Sequence, residues 1–227
     1  MNVNIELAAR RHIARADLEA MHRLRARVFA DRLGWDVDVI DGMEIDRFDQ
    51  LDPHYMLVRL DGILRGCWRL LPTVGPYMLA DTFPELLEGR PAPRHPHVWE
   101  LSRFVLETAG RQDQGFADST IMAMQRVVGF AAHMGIERYV TVTTVSMERM
   151  LGKLGLEVLR CGDARLIGRE RTVAIELPMG PAAAAALAQA REASRTRLRS
   201  LASSGQAPAN RIVAGCDAAP AAAFATR

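Results

Sequence analysis

The stretch Val98-Trp99-Glu100-Leu101-Ser102-Arg103-Phe104-Val105-Leu106 reads as a β-strand that carries a carboxylate and a guanidinium inside an apolar run. Side chains alternate faces along a strand, so Glu100 and Ser102 share one side, and Arg103 belongs to the other unless a bulge re-aims it. Charges in a core strand must find partners or bind something charged. A structural Glu–Arg pair meets that demand, and so does a site for a zwitterionic ligand. Downstream, Ile121, Met124, Val127 and Val128 form one apolar stripe on a helix from about Asp118 to Met134, which Gly135 ends. Tyr139 to Val145 is β-branched, as a buried strand should be. Strand, helix, strand is a crossover, which makes the two strands parallel.

Upstream, residues 3 to 7 alternate as a strand, and Leu18, Met21, Leu24 and Val28 fall at helical spacing with Asp17 as the expected N-cap. Tyr55 to Asp61 and Ile63 to Leu71 should fold into a hairpin about Asp61-Gly62, closed by Pro72. Ser146 is the expected cap of a helix running to Leu154 and stopped by Gly155, and strands near 156 to 161 and 171 to 177 complete the set. The expectation is an α/β protein of three layers, α-β-α, with a mixed twisted sheet flanked by helices. Residues 1–180 form its single domain and 181–200 an alanine- and arginine-rich helix. Residues 201–227, poor in large apolar groups, should be a disordered tail.

The chain has 227 residues, 49% of them hydrophobic, enough to bury a real core. Of its 29 basic residues only Lys153 is a lysine, and they are interleaved with 27 acidic residues, so no basic stripe for nucleic acid emerges. Cys67, Cys161 and Cys216 lie too far apart for a metal motif or a disulfide framework. With no secretory signal pattern and no apolar run of bilayer length, a soluble, cytoplasmic protein without a membrane partner is expected.

Two further constellations carry chemistry. Arg25 and Phe29 are four apart on one helical face and Trp35 follows the helix end, gathering a cation and two aromatics. Such a trio can hold a ligand bearing a carboxylate and a cation, or can be ordinary core. Asp46 and Asp49 are spaced by three in Met43-Glu44-Ile45-Asp46-Arg47-Phe48-Asp49 and can accept from an arginine such as Arg69, or simply cap a turn.

These blocks occur in a fixed order: R-x-x-x-F-x-x-x-x-x-W (25–35), D-x-x-D (46–49), G-C-W-R-L-L-P-T-x-G-P-Y-M-L (66–79), D-T-F-P-E-L-L (81–87) and W-E-L-S-R-F (99–104). Over roughly residues 5 to 178 the chain closely resembles the LuxI-type acyl-homoserine-lactone synthases, the autoinducer synthases of bacterial quorum sensing. It looks most like their long-chain 3-oxoacyl subgroup, as in Val140-Thr141-Val142-Thr143-Thr144-Val145. The resemblance implies a fold similar to the GCN5-related N-acetyltransferases. It also implies a reaction joining S-adenosylmethionine to an acyl chain on acyl carrier protein, with S-adenosylmethionine as substrate, no cofactor and no metal. It places Arg25, Phe29, Trp35, Asp46, Asp49, Arg69, Phe83, Glu100 and Arg103 on the family's recurrent active-site positions.

On that reading Arg25, Phe29, Trp35 and Arg103 hold S-adenosylmethionine, while Asp46, Asp49 and Arg69 form an electrostatic network. Glu100 is the base for the amine, directly or through water, and the backbone about Ser102 to Phe104 is a candidate oxyanion site. Met78, Phe83, Leu101, Met122, Thr141, Thr143, Met147, Met150 and Leu154 are candidates for the acyl pocket, with a threonine available to an oxygen at the third acyl carbon. Arg149, Lys153 and Arg160 match the family's basic docking positions for an acidic carrier, or are a solvated helix face. Gln112 to Ala117 fits the Q-x-x-G-x-A pattern by which acetyltransferases cradle a pyrophosphate, which leaves an acyl-coenzyme A N-acetyltransferase of another amine as the alternative.

Overall fold

The structure, a computed structural model, describes residues 2–107 and 115–203. Its elements run β1 (Val3–Ala9), α1 (Arg15–Ala26), β2 (Val39–Ile40), β3 (Met43–Glu44), β4 (His54–Leu60), β5 (Ile63–Pro72), α2 (Met78–Asp81), β6 (Val98–Leu106), α3 (Gly115–Met134), β7 (Arg138–Thr144), α4 (Val145–Lys153), β8 (Leu159–Arg160), β9 (Arg165–Ile167), β10 (Glu170–Pro178) and α5 (Pro181–Ser203). The main sheet has the order β1-β4-β5-β6-β7-β10-β8, with β9 also on β10, and β2 and β3 form a separate small ribbon. All pairings are antiparallel except β6 with β7, the pair joined by the α3 crossover.

Strand alternation divides the core into two layers. Met56 and Val58 of β4 and Trp99 and Leu101 of β6 face α3 and α5, where Val127, Val128, Ala183 and Leu187 meet them. Tyr55, Leu57, Cys67 and Val105 face the opposite way, onto Met21, Leu24, Val28 and Phe29 of the first helix. The sheet is thus covered on both faces, as expected for an α/β architecture. The β4–β5 hairpin turns at Asp61 (φ +49°) and Gly62 (φ +82°), the left-handed pair that matches strand twist.

Two features open a cleft. The β6–β7 ladder stops at Glu100 opposite Val140, although β6 continues to Leu106 and β7 to Thr144, so the strands part beyond that point. In the same stretch β6 carries one extra residue against β5: Cys67 faces Val105 and Arg69 faces Ser102. Arg103 takes φ +55° there, a left-handed conformation costing about 1–2 kcal/mol for a residue with a Cβ. The bulge puts Ser102 and Arg103 on the same face, while Phe104 returns to the other and stacks on Trp68.

Several expectations need correction. Ala14, not Asp17, is the N-cap of α1, and Asp17 lies in the first turn with its carboxylate 2.7 Å from Arg59. Thr144, not Ser146, caps α4, because its hydroxyl accepts from Met147 N at 3.2 Å. β9 was not expected, since its three residues are too short to show a period. The C-terminal helix extends to Ser203. The tail beyond it and Gln112 to Gln114 lie outside the described residues.

Gly66 sits opposite Leu106 at the mouth of the bulge, where a Cβ would lie 2.7 Å from Leu106 Cδ1 and 2.8 Å from the Val105 carbonyl oxygen. Gly66→Ala is therefore expected to destabilise the protein by about 1–3 kcal/mol through overpacking. Urea denaturation measures this, and an unchanged midpoint would contradict it.

Candidate active site

Arg25, Arg69 and Arg103 converge from α1, β5 and β6 on three carboxylates, Glu44, Asp46 and Asp49. Arg25 Nη1 and Nη2 donate to the two Asp49 oxygens at 2.9 Å each, and its Nε donates to Glu44. Arg69 Nη1 bridges Asp46 and Asp49, 2.8 Å from the latter. Arg103 Nε and Nη2 donate to Glu44 at 3.0 and 2.7 Å, and Nη2 is 3.0 Å from Asp46. Tyr55 adds a hydroxyl donor to Asp49, and the His22 Nδ1–H donates to the Glu44 carbonyl at 2.9 Å. Arg25, Arg69 and Glu44 have no exposed surface, so three buried positive charges are matched by three negative ones.

Local turns set this geometry. Asp46 caps the 3₁₀ turn Arg47–Leu51 by accepting from Phe48 N and Asp49 N, while Asp49 accepts from Asp46 N at 2.9 Å. The pair therefore caps a turn and binds arginine at once, with Asp46 Oδ1 shared between the turn amides and Arg69 and Asp49 Oδ2 between Asp46 N and Arg25. Burial alone would raise the Asp49 pKa, but Arg25 and Arg69 outweigh it and hold the carboxyl well below its ordinary value. Glu44 is likewise lowered, with Arg25 and Arg103 overcoming its burial.

Glu100 differs from the other three carboxylates. Its two oxygens accept from Met78 N at 3.0 Å and Leu79 N at 2.7 Å, at the start of α2. Burial raises its pKa, against the opposing pull of Arg69, the two amides and the Ser102 hydroxyl. Ser102 Oγ accepts from Arg69 Nε at 3.1 Å, so the arginine network reaches the residue beside Glu100 on the same face of β6.

In front of the network lies a cavity of about 380 Å³, between the parted strands and the end of the first helix. That helix ends in a π-type turn, Arg27–Arg32, and Trp35 N donates to the Phe29 carbonyl at 2.9 Å. The wider turn brings Trp35 back onto Phe29, with centroids 5.2 Å apart and planes at 29°. Phe83 meets Trp35 edge-on at 6.3 Å, and the Arg103 guanidinium lies 5.2 Å over the Phe29 ring with Nη1 3.2 Å from Met78 Sδ. Among the described residues the Trp35 indole N–H has no acceptor.

Of the residues expected from the sequence, Phe29, Trp35, Met78, Phe83, Ser102, Arg103, Thr143 and Met147 line this cavity. Arg25, Asp46, Asp49, Arg69 and Glu100 stand behind the wall. Arg25 has no donor aimed at the cavity because Glu44 and Asp49 take all three of its nitrogens, which corrects its expected role in gripping a ligand carboxylate. Leu101 is excluded by alternation, since it faces α3 on the opposite side of the sheet. Met150 and Leu154 pack beneath α4 against the main core, while Met122 on α3 and Thr141, two residues deeper than Thr143, are also off the wall. Arg149 and Lys153 are exposed on α4, whereas Arg160 is held by both Glu148 oxygens. Sequence reasoning missed Glu44, although three arginines in apolar contexts already require a third carboxylate near Asp46 and Asp49. No group of acidic, histidine or cysteine side chains suited to a metal ion occurs among the described residues.

Known proteins are similar to this chain in sequence and fold. The family model described as autoinducer synthase matches residues 10–187. An acyl-homoserine-lactone synthase of Pseudomonas aeruginosa is 46% identical over 178 residues, covering 77% of this chain and 89% of the relative. The crystal structure of the acyl-homoserine-lactone synthase LasI superposes with a TM-score of 0.77 at 46% identity, covering 82% of this chain and 94% of that one. A coenzyme A-dependent synthase, BjaI, with S-adenosylmethionine and isopentyl-CoA gives a TM-score of 0.71 at 25% identity, over 87% of this chain and 90% of that one. An acyl-CoA N-acyltransferase from Pseudomonas aeruginosa shares the fold alone, with a TM-score of 0.52 at 18% identity, over 79% of this chain and the whole of that one.

Because Asp49 and Glu44 have lowered carboxyl pKa values, their contribution to stability is complete above an unfolded pKa of about 4 and is lost as the pH falls through the folded values. Asp49→Asn leaves two buried guanidiniums short of charge and should cost about 3–5 kcal/mol at neutral pH, with a flatter acid limb. Denaturant titrations from about pH 7 down through pH 4 to about pH 2 test both: the loss should be constant above about pH 4 and shrink below it, and a loss that does not shrink below that point would contradict the assignment.

Proposed function

The chain belongs to the autoinducer synthase family and is an acyl-homoserine-lactone synthase, and we propose that it joins S-adenosylmethionine to a 3-oxoacyl chain delivered by acyl carrier protein. The observation that carries the reading is the cavity wall of Phe29, Trp35 and Arg103. Stacked aromatic faces suit a sulfonium, the unpaired Trp35 N–H suits an acceptor on the ligand, and the edge of the Arg103 guanidinium suits a carboxylate. In this reading Arg25 works at one remove, fixing Glu44 and Asp49 so that Arg103 stays in place. S-adenosylmethionine is consumed as a substrate and no resident cofactor is called for.

Acylation needs the neutral amine. Glu100 takes the proton by way of the Ser102 hydroxyl, which lines the cavity two residues along the same face of β6. Its raised pKa supports this role, since a base near the operating pH transfers protons most effectively. The amine nitrogen then attacks the thioester carbonyl, the carbonyl oxygen carries the negative charge beside the backbone of Ser102 to Phe104, and the carbon–sulfur bond breaks as the nitrogen's second proton passes to the departing sulfur, which leaves as the carrier thiol. The carboxylate next attacks the carbon beside the sulfonium, and the C–S bond breaks to release methylthioadenosine and close the lactone. A five-membered closure within one molecule has a high effective molarity, so the site need only hold the chain folded.

Thr143 stands on the wall where the acyl chain would enter between β6 and β7, which supports a chain with an oxygen at its third carbon. The carrier is favoured over free coenzyme A by Arg149 and Lys153. They lie exposed on α4, the helix whose Met147 also lines the cavity, and can face an acidic partner.

Glu100→Gln should keep the fold and S-adenosylmethionine binding and lower turnover by about two orders of magnitude or more; near-normal methylthioadenosine release from the folded variant would remove Glu100 from the base role. Reversing charge at Arg149 and Lys153 should raise the KM for the acyl carrier by about tenfold and leave that for S-adenosylmethionine unchanged. Equal effects on both, or an acyl-coenzyme A used as well as the carrier thioester, would contradict carrier docking. Mass spectrometry of organic extract from expressing cells identifies the chain, and a product lacking the 3-oxo group would contradict the role of Thr143.

A further inference from the structure

The β9–β10 turn, which contributes nothing to the cavity wall, is packed directly against the segment that presents Trp35. A Cβ on Gly168 (φ +60°) would lie 2.8 Å from the Gly34 carbonyl oxygen, 2.9 Å from Trp35 Cδ1 and 3.0 Å from the Leu33 carbonyl oxygen. Only a glycine allows that approach. The next residue fastens it: Arg169 N donates to the Leu33 carbonyl at 3.3 Å. The Arg169 side chain lies over Gly34 so closely that a Cβ there (φ +63°) would be 3.1 Å from its Nε. The two turns thus interlock, glycine against indole on one side and arginine stem against glycine on the other.

The same edge of the sheet also holds the second aromatic of the cavity mouth. Ile167 packs in the cluster that includes Phe83 and Leu86. Gly162 abuts the Leu86 carbonyl, and Asp163 N donates to Glu88 Oε1 at 3.0 Å, which secures the short turn Pro84–Leu87 next to Phe83. Trp35 and Phe83 come from segments far apart in sequence, yet their edge-to-face contact spans only 6.3 Å. The element touching both segments is this edge.

We propose that the Gly168-Arg169 turn is a positioning clamp that sets the place of the Trp35 indole over the cavity, and through it the affinity for the substrate lying there. The kinetic consequence rests on the placement of S-adenosylmethionine under Trp35 proposed above; the positional one does not. The chain has three tryptophans, and Trp68 and Trp99 lie in the core on the far face of the sheet. Labelling with 5-fluorotryptophan, and assignment by Trp35→Phe, therefore gives one ¹⁹F resonance for the clamp and two as references for the fold.

In Gly168→Ala the Trp35 resonance should move while those of Trp68 and Trp99 stay. The KM for S-adenosylmethionine should rise about tenfold with turnover within about threefold, as expected for a misplaced binding group. A Trp35 resonance that does not move overturns the proposal. If Gly168→Ala does not fold, Arg169→Ala removes the stem over Gly34 without altering the turn: a displaced Trp35 resonance upholds the clamp, and an unmoved one overturns it. A displaced indole with an unchanged KM upholds the clamp and counts instead against S-adenosylmethionine lying under Trp35.

Discussion

The site depends on three guanidiniums being buried with Glu44 and Asp49, and with the half-buried Asp46 at their edge, at the end of a bulged strand. Taking such ions out of water costs several kcal/mol each, and only near-complete mutual pairing returns that cost. The pairing is close to complete here: Arg25 is saturated by Glu44 and Asp49, Arg69 spans Asp46, Asp49 and Ser102, and Arg103 reaches Glu44 and Asp46. The partners come from α1, the β2–β3 ribbon, the turn at 46–49, β5 and β6, so the network ties the N-terminal third of the chain to the middle of the sheet. The left-handed backbone of Arg103 is tolerated because its side chain is held from several directions, which offsets strain of about 1–2 kcal/mol.

Within that frame Glu100 is the exception. Glu44 and Asp49 face guanidiniums that hold their pKa values down, whereas Glu100 meets two backbone amides, and burial moves its pKa upward. One environment fixes charge and the other leaves a proton free to move. The strand alternation that sets Glu100 beside Ser102 also brings this carboxyl within one hydroxyl of the cavity.

The cavity has a similar division of labour. The parting of β6 from β7 and the π-type turn after α1 create space and an aromatic wall. Behind the wall, the network keeps Arg103 rigid at the one place where it meets the cavity. Beyond the mouth, the β9–β10 turn bears on Trp35. Residues that touch the cavity are thus held by residues that do not.

The sequence by itself determined the α/β class, the hairpin at Asp61-Gly62 and the parallel β6–β7 pair, because period and turn chemistry are local signals, and its resemblance to the autoinducer synthases implied the gathering of Arg25, Phe29, Trp35, Asp46, Asp49, Arg69, Glu100 and Arg103. Only the tertiary structure decided which of those residues face the cavity. Arg103 reaches it because one extra residue in β6 reverses its side, and Leu101 is lost to it because no such insertion precedes that position. Arg25 turns inward because Glu44, on a two-residue strand with no readable period, arrives beside it. Caps shifted by a few residues, β9, and the contact of Gly168 with Trp35 were illegible for the same reason: each depends on where a distant segment lies, and a face or a distance between remote segments is fixed only when the chain has folded.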